Sequence, residues 1–166
     1  MKLKEIRSFK CAIIGILHCI KNERHMRIHT CIAIYVLLFS SFFDLSIEKY
    51  CILLLTISSV FAAEMVNTVA EELTDLSAED YNPMAKVAKD IAAGAVLICA
   101  VFAIFIGVLL FWNINKYIEI YYFFIKRPLY LILLFVSVII SFAYIYIGPM
   151  EIISSIKRIR FKRKKR

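Results

Sequence analysis

The sequence predicts an all-α integral membrane protein, and three observations carry that prediction. The chain has 166 residues and is 61% hydrophobic, where a soluble domain is about half apolar. Its mean hydropathy is +0.76. Four apolar stretches run with few turn signals between them, the whole chain holding 4 Gly and 3 Pro. This composition excludes disorder, collagen and low-complexity linkers. Cys11, Cys19, Cys31, Cys51 and Cys99 make no C-x-x-C pair. They read as apolar packing residues rather than as zinc ligands or a redox dithiol.

The first element is amphipathic. Phe9, Ala12, Ile13, Ile16, Leu17 and Ile20 share one helical face, with Lys4, Arg7, Lys10 and Lys21 largely off it. This predicts a helix over residues 5–24 lying on the membrane surface. Lys21-Asn22-Glu23-Arg24 follows it in place of a small-residue cleavage site, so the segment reads as retained rather than as a signal peptide.

Crossing a bilayer takes roughly 20 helical residues at about 1.5 Å each. Spans are predicted over 28–43, 50–67 and 91–112, with an additional C-terminal span over 128–150. The first contains His29, and the apolar run of the second ends where Glu64 begins the polar part. Asn82-Pro83 reads as a helix start, with Asn as cap and Pro in the first turn. The third helix is therefore expected to begin well before its apolar portion. Residues 1–115 form one organisational unit and 116–166 a second.

The net charge of +8 comes from the tail, since Lys157–Arg166 holds eight basic and no acidic residues. Such a tail beside an apolar span sets topology and meets anionic lipid headgroups, and no nucleic-acid partner is expected. The basic residues fit four crossings of a cell's inner (cytoplasmic) membrane with both termini cytoplasmic. The connection with Lys116, Lys126 and Arg127 fits least well, because it falls outside.

Glu64 is the most informative residue. Counted from Tyr50, it lies about 21 Å along its helix. A carboxylate at mid-bilayer costs roughly 2.5–3.5 kcal/mol on insertion scales, so such a residue either does work or marks the end of the span. Glu64, Asn67 and Glu71 stand at i, i+3 and i+7, on one face, which Thr68 and Asp75 extend. Oxygen ligands so arranged suit a hard cation such as Mg²⁺, which takes one or two carboxylates together with phosphate oxygens. Lys89 reads as a phosphate clamp, or Lys86 and Asp90 as an ordinary i, i+4 surface pair. Glu23 adds a carboxylate at the same depth, or is a solvated loop charge. No phosphate-binding glycine loop and no protein-kinase signature is present.

Three motifs carry a resemblance. Glu64-Met-Val-Asn67-Thr68-Val-Ala-Glu71-Glu72-Leu-Thr-Asp75 resembles the E-x-x-N-[ST]-x-x-E-x-x-x-D signature of the prokaryotic diacylglycerol kinase family. Asn22-Glu23-Arg24-His25-Met26-Arg27-Ile28-His29 is similar to its N-E-R-N-x-R-I-H segment, with His25 in place of Asn. Asp80-Tyr81-Asn82-Pro83-Met-Ala85-Lys86-Val-Ala-Lys89-Asp90-Ile-Ala92-Ala93-Gly94 is similar to its Y-H-P-x-A-K-x-A-K-D-x-A-A-G block. The resemblance covers residues 5–112, and the helix at 128–150 lies outside it.

The resemblance implies a three-helix transmembrane kinase core that phosphorylates a lipid alcohol with ATP as co-substrate and Mg²⁺ as cofactor. It also implies a homotrimer with sites between subunits. Glu64 would be the general base, with Asn67 positioning polar groups beside it. Glu23 and Glu71 would hold the metal and, with Lys89 and Asp90, the nucleotide. His29 would join Glu64 and Asn67 at the lipid. His29 and the N-E-R…R-I-H form are similar to the Gram-positive type, whose members favour undecaprenol. Enterobacterial members carry an acidic residue at that position and act on diacylglycerol, making phosphatidic acid. The competing expectations are thus a diacylglycerol kinase or a non-catalytic membrane assembly partner.

Overall fold

A computed structural model describes residues 2–77, 82–149 and 151. Six helices run through them, and no strand occurs among the described residues. They are α1 (Lys2–Asn22), α2 (Arg24–Ser40), α3 (Ile47–Ser77), α4 (Pro83–Leu110), α5 (Ile114–Lys126) and α6 (Pro128–Ile147). The basic tail and the start of the third motif, Asp80-Tyr81, lie outside the described residues.

The all-helical membrane fold is as the sequence predicts. Three helices, α3, α4 and α6, are long and apolar enough to cross a membrane. The segment expected to cross at 28–43 is a helix of 17 residues followed by a turn. It spans about 25 Å, somewhat under a hydrocarbon core of about 30 Å. At its C-terminal end Ser40 and Ser41 turn their hydroxyls onto the carbonyls of Leu37 and Leu38. Asp44 follows with a φ of 46°, a left-handed conformation that Asp tolerates better than most residues.

α4 begins where the sequence places it. Asn82 Oδ1 accepts from the Met84 and Ala85 amides at 2.9 and 3.4 Å, and Pro83 occupies the first turn. α5 was not expected. Its lysines gave the segment the look of a polar connection. Yet Ile114, Tyr117, Ile118 and Tyr121 recur at helical spacing, and Asn113 Oδ1 accepts from the Asn115 amide at 3.1 Å.

The chain divides into two compact units. The unit His29–Phe123 contains an antiparallel α3–α4 hairpin with α2 against it. At one end of this unit, Phe43 packs edge-on against Phe111 and Tyr117, with centroids 4.9 and 5.3 Å apart. Lys116 pairs there with Asp44 at 2.6 Å and with Glu119 at 2.9 Å. These bonds, Asp44 first, hold its ammonium above the ordinary lysine range. The α2–α3 and α4–α5 connections therefore share one end, and acidic partners offset the lysine that the charge pattern found out of place.

The other unit joins Met1–Ile28 to the chain from Phe124 onward. It contains α1, the first turn of α2, and α6. Arg24 stacks on the Tyr146 ring, 4.3 Å from its centroid, and Arg27 is buried with its guanidinium on helix-end carbonyls. α6 ends three residues before the expected boundary because Gly148, at φ 78°, takes the chain out of the helix before Pro149.

Candidate active site

α3 supplies most of the site. Its 31 residues reach about 46 Å, so its polar end continues well past the apolar run from Tyr50 to Ala63. Glu64 stands at the changeover and is 4% exposed. Its Oε1 lies 3.0 Å from His29 Nε2 on α2. The distance suits an Nε2–H of His29 donating to the Glu64 oxygen. One turn on, Thr68 is buried and its hydroxyl donates to the Glu64 carbonyl at 3.1 Å.

Asn67 Nδ2 donates to Glu71 Oε1 at 2.8 Å. The Asn67 Oδ1 is buried and has no hydrogen-bond partner. A buried acceptor left alone is costly, by about 1–3 kcal/mol, unless something else binds it. Asn67 Oδ1 and the Glu71 carboxylate are hard oxygen donors of the kind Mg²⁺ takes, so this face fits a magnesium ion. Among the described residues no group of three or more His, Cys, Asp or Glu is arranged to hold a metal by itself.

Lys89, on α4, pairs with Asp75, on α3. Both are partly exposed, which keeps the ammonium within reach of solvent-borne anions. Lys86 and Asp90 form no ion pair with each other among the described residues. Asp75 is thus the partner that sequence reasoning did not assign, although the i, i+4, i+7, i+11 face from Glu64 already held it. Glu23 is the single residue separating α1 from α2. Its amide donates to the Cys19 carbonyl at 2.8 Å and its carbonyl accepts from the Arg27 amide at 3.3 Å.

From His29 a cavity of about 340 Å³ runs between α2, α3 and α4, toward Phe111. Val36, Leu53, Val60 and Ile104 are among its walls. Of the residues lining it, His29 and Thr56 alone carry polar side chains. The Thr56 hydroxyl is already committed to the Ile52 carbonyl at 2.8 Å.

A buried carboxylate bonded to a histidine that lines an apolar cavity, with amide, carboxylate and lysine groups on the same helix face or across from it, is an arrangement suited to a membrane-embedded enzyme acting on a lipid. The family model for prokaryotic diacylglycerol kinase matches residues 10–111. The chain belongs to that family and is a multi-pass membrane lipid kinase. It is similar to the undecaprenol kinase of Bacillus subtilis, with 39% identity over 105 residues, 63% of this chain and 85% of that protein. It is also similar to the diacylglycerol kinase of a Synechocystis species, with 37% identity over 101 residues, 60% of this chain and 58% of that protein. α5 and α6 lie beyond the family match.

Proposed function

We propose that the chain transfers the γ-phosphate of ATP to the hydroxyl of a polyprenol, undecaprenol in preference to diacylglycerol. The observation that carries this reading is the buried Glu64, bonded to His29 at the head of an apolar cavity with no spare donor. A polyprenol presents one hydroxyl on a hydrocarbon body. Diacylglycerol adds two ester carbonyls, and each costs roughly 1–3 kcal/mol if buried without a donor. The undecaprenol kinase relative supports the same choice.

In this mechanism Glu64 takes the hydroxyl proton on the carboxylate oxygen that His29 leaves free, while the His29 bond fixes the carboxylate's rotation. The lipid oxygen forms its bond to the γ-phosphorus as the bond to the β,γ-bridging oxygen breaks. ADP leaves with that electron pair. Phosphoryl transfer asks mainly for positioning and charge neutralisation. Glu71 and Asn67 would hold Mg²⁺, which when bound supplies neutralising charge at the phosphates. Glu23 is the further carboxylate proposed for the metal-bound nucleotide, with Lys89 and Asp90 as its other contacts. Asp75 keeps the Lys89 ammonium in place.

The active form is proposed to be a homotrimer with sites between subunits and cytoplasmic termini, on the family resemblance. Exposed apolar side chains along α4, Leu97, Ile98, Phe102 and Phe105 among them, provide surface for lipid or a neighbouring subunit. Labelled ATP offered with each lipid in turn tests the reading. Higher kcat/KM for undecaprenol is expected, and higher kcat/KM for diacylglycerol overturns the substrate while keeping the family.

A further inference from the structure

Arg27 is 8% exposed, and a buried guanidinium needs its donors engaged. Its Nη1 donates to the Lys21 carbonyl at 2.8 Å and to the Ile20 carbonyl at 3.5 Å. Its Nε donates to the Ile145 carbonyl at 3.2 Å. These are carbonyls of the last turns of α1 and α6, which have no partner within their own helices. The Cys19 carbonyl is taken by the Glu23 amide and the Tyr144 carbonyl by the Gly148 amide. One cation thus completes the caps of two helices whose dipoles both present their negative ends to it.

The arrangement straddles Glu23. Arg27 reaches back from α2 to residues 20 and 21, on the far side of the break that Glu23 occupies. α6 closes the same junction from its own end. Tyr146 lies under the Arg24 guanidinium, and a Cβ on Gly148 would stand 3.7 Å from the Arg27 guanidinium. Gly148 has φ 78° and ψ 154°, a region that is essentially glycine-only.

We propose that Arg27 and the last turn of α6 form a clamp that sets the α1–α2 break carrying Glu23. Arg27 is then a positioning residue for the nucleotide, and the C-terminal helix beyond the family match is a working part of the kinase. This rests on the reading of Glu23 as a carboxylate for the metal-bound nucleotide.

The test uses the full chain and three variants, Gly148→Val, Arg27→Lys and Arg27→Gln. KM for Mg·ATP, KM for the lipid and kcat are measured for each. Maleimide labelling of Cys19, 6% exposed in the last turn of α1, is followed in a chain whose other four cysteines are serine. Gly148→Val strains the cap and crowds the Arg27 guanidinium while replacing no motif residue. It is expected to speed Cys19 labelling and raise KM for Mg·ATP about three- to tenfold, with KM for the lipid unchanged. Arg27→Lys, which keeps the charge and loses the fork, should be milder than Arg27→Gln. Unchanged labelling in Gly148→Val overturns the clamp. Faster labelling with unchanged KM for Mg·ATP, or an equal loss against both substrates, overturns the positioning role. A wild-type chain that phosphorylates no lipid overturns the kinase reading and the positioning role with it, while Cys19 labelling still reports whether the clamp exists.

Discussion

Glu64→Gln separates chemistry from architecture in a single atom. The amide oxygen of Gln takes the place of Oε1 and continues to accept from His29 Nε2–H, so the 3.0 Å bond and the packing around it persist. The other oxygen becomes an NH₂ group, which cannot take a proton. General-base assistance is worth about 10²–10⁴ in rate, or about 2.7–5.5 kcal/mol at about 1.36 kcal/mol per decade. The variant should therefore lose at least about two decades of kcat, with KM for Mg·ATP little changed. The assay is transfer of labelled phosphate from ATP to undecaprenol in mixed micelles. Thermal unfolding and gel filtration in the same detergent establish that the variant is folded. Turnover within about threefold of the wild type would refute Glu64 as the base.

Glu71→Gln and Glu23→Gln should each shift the Mg²⁺ titration of activity to higher concentration, because each removes one hard ligand. An unchanged titration with reduced activity assigns the residue a structural role instead. Ala103→Phe, in the wall of the apolar cavity, should raise KM for the polyprenol while leaving KM for Mg·ATP alone. Equal changes in both would remove the cavity from lipid binding. A cysteine at the tail, Lys164→Cys in a chain otherwise free of cysteine, should resist an impermeant maleimide in intact cells and react after permeabilisation. Labelling in intact cells places the tail outside and refutes the even number of crossings.

The fold was legible wherever one signal acted alone. The apolar runs of α3, α4 and α6 exceed any soluble-protein pattern, and the Asn82-Pro83 start of α4 depends on two adjacent residues. α5 was hidden because Lys116 and Lys126 read as loop charges; its partner Asp44 lies 72 positions earlier, beyond any local pattern. The candidate site divides the same way. Asn67 and Glu71 meet at i, i+4 on one helix, so spacing alone joins them. The His29–Glu64 bond and the Lys89–Asp75 pair each need two helices to be set side by side, which residue order does not state. In the sequence Arg27 is one letter of the second motif. Its burial and its bond to Ile145, 118 residues away, appear only when α6 is in place.

The length of α3 gives a physical reason for the proposed placement of the chemistry at Glu64. About 46 Å of helix meets about 30 Å of hydrocarbon, so roughly ten residues must stand in headgroups or water. The N-terminal part from Tyr50 to Ala63 is apolar, so the excess falls at the other end, on the turns that carry Asn67, Glu71 and Asp75. Glu64 is the first ionisable residue met on leaving the apolar run. One turn earlier, at Val60, a carboxylate would face the wall of the cavity and pay a membrane-insertion cost of roughly 2.5–3.5 kcal/mol, with the nucleotide farther off. One turn later, at Thr68, it would lose the bond to His29, a residue that lines the cavity. A reaction between a hydroxyl anchored in hydrocarbon and a polyphosphate dissolved in water has one depth at which both ends can be held. On the proposed reading, the register of α3 puts the Glu64 carboxylate at that depth.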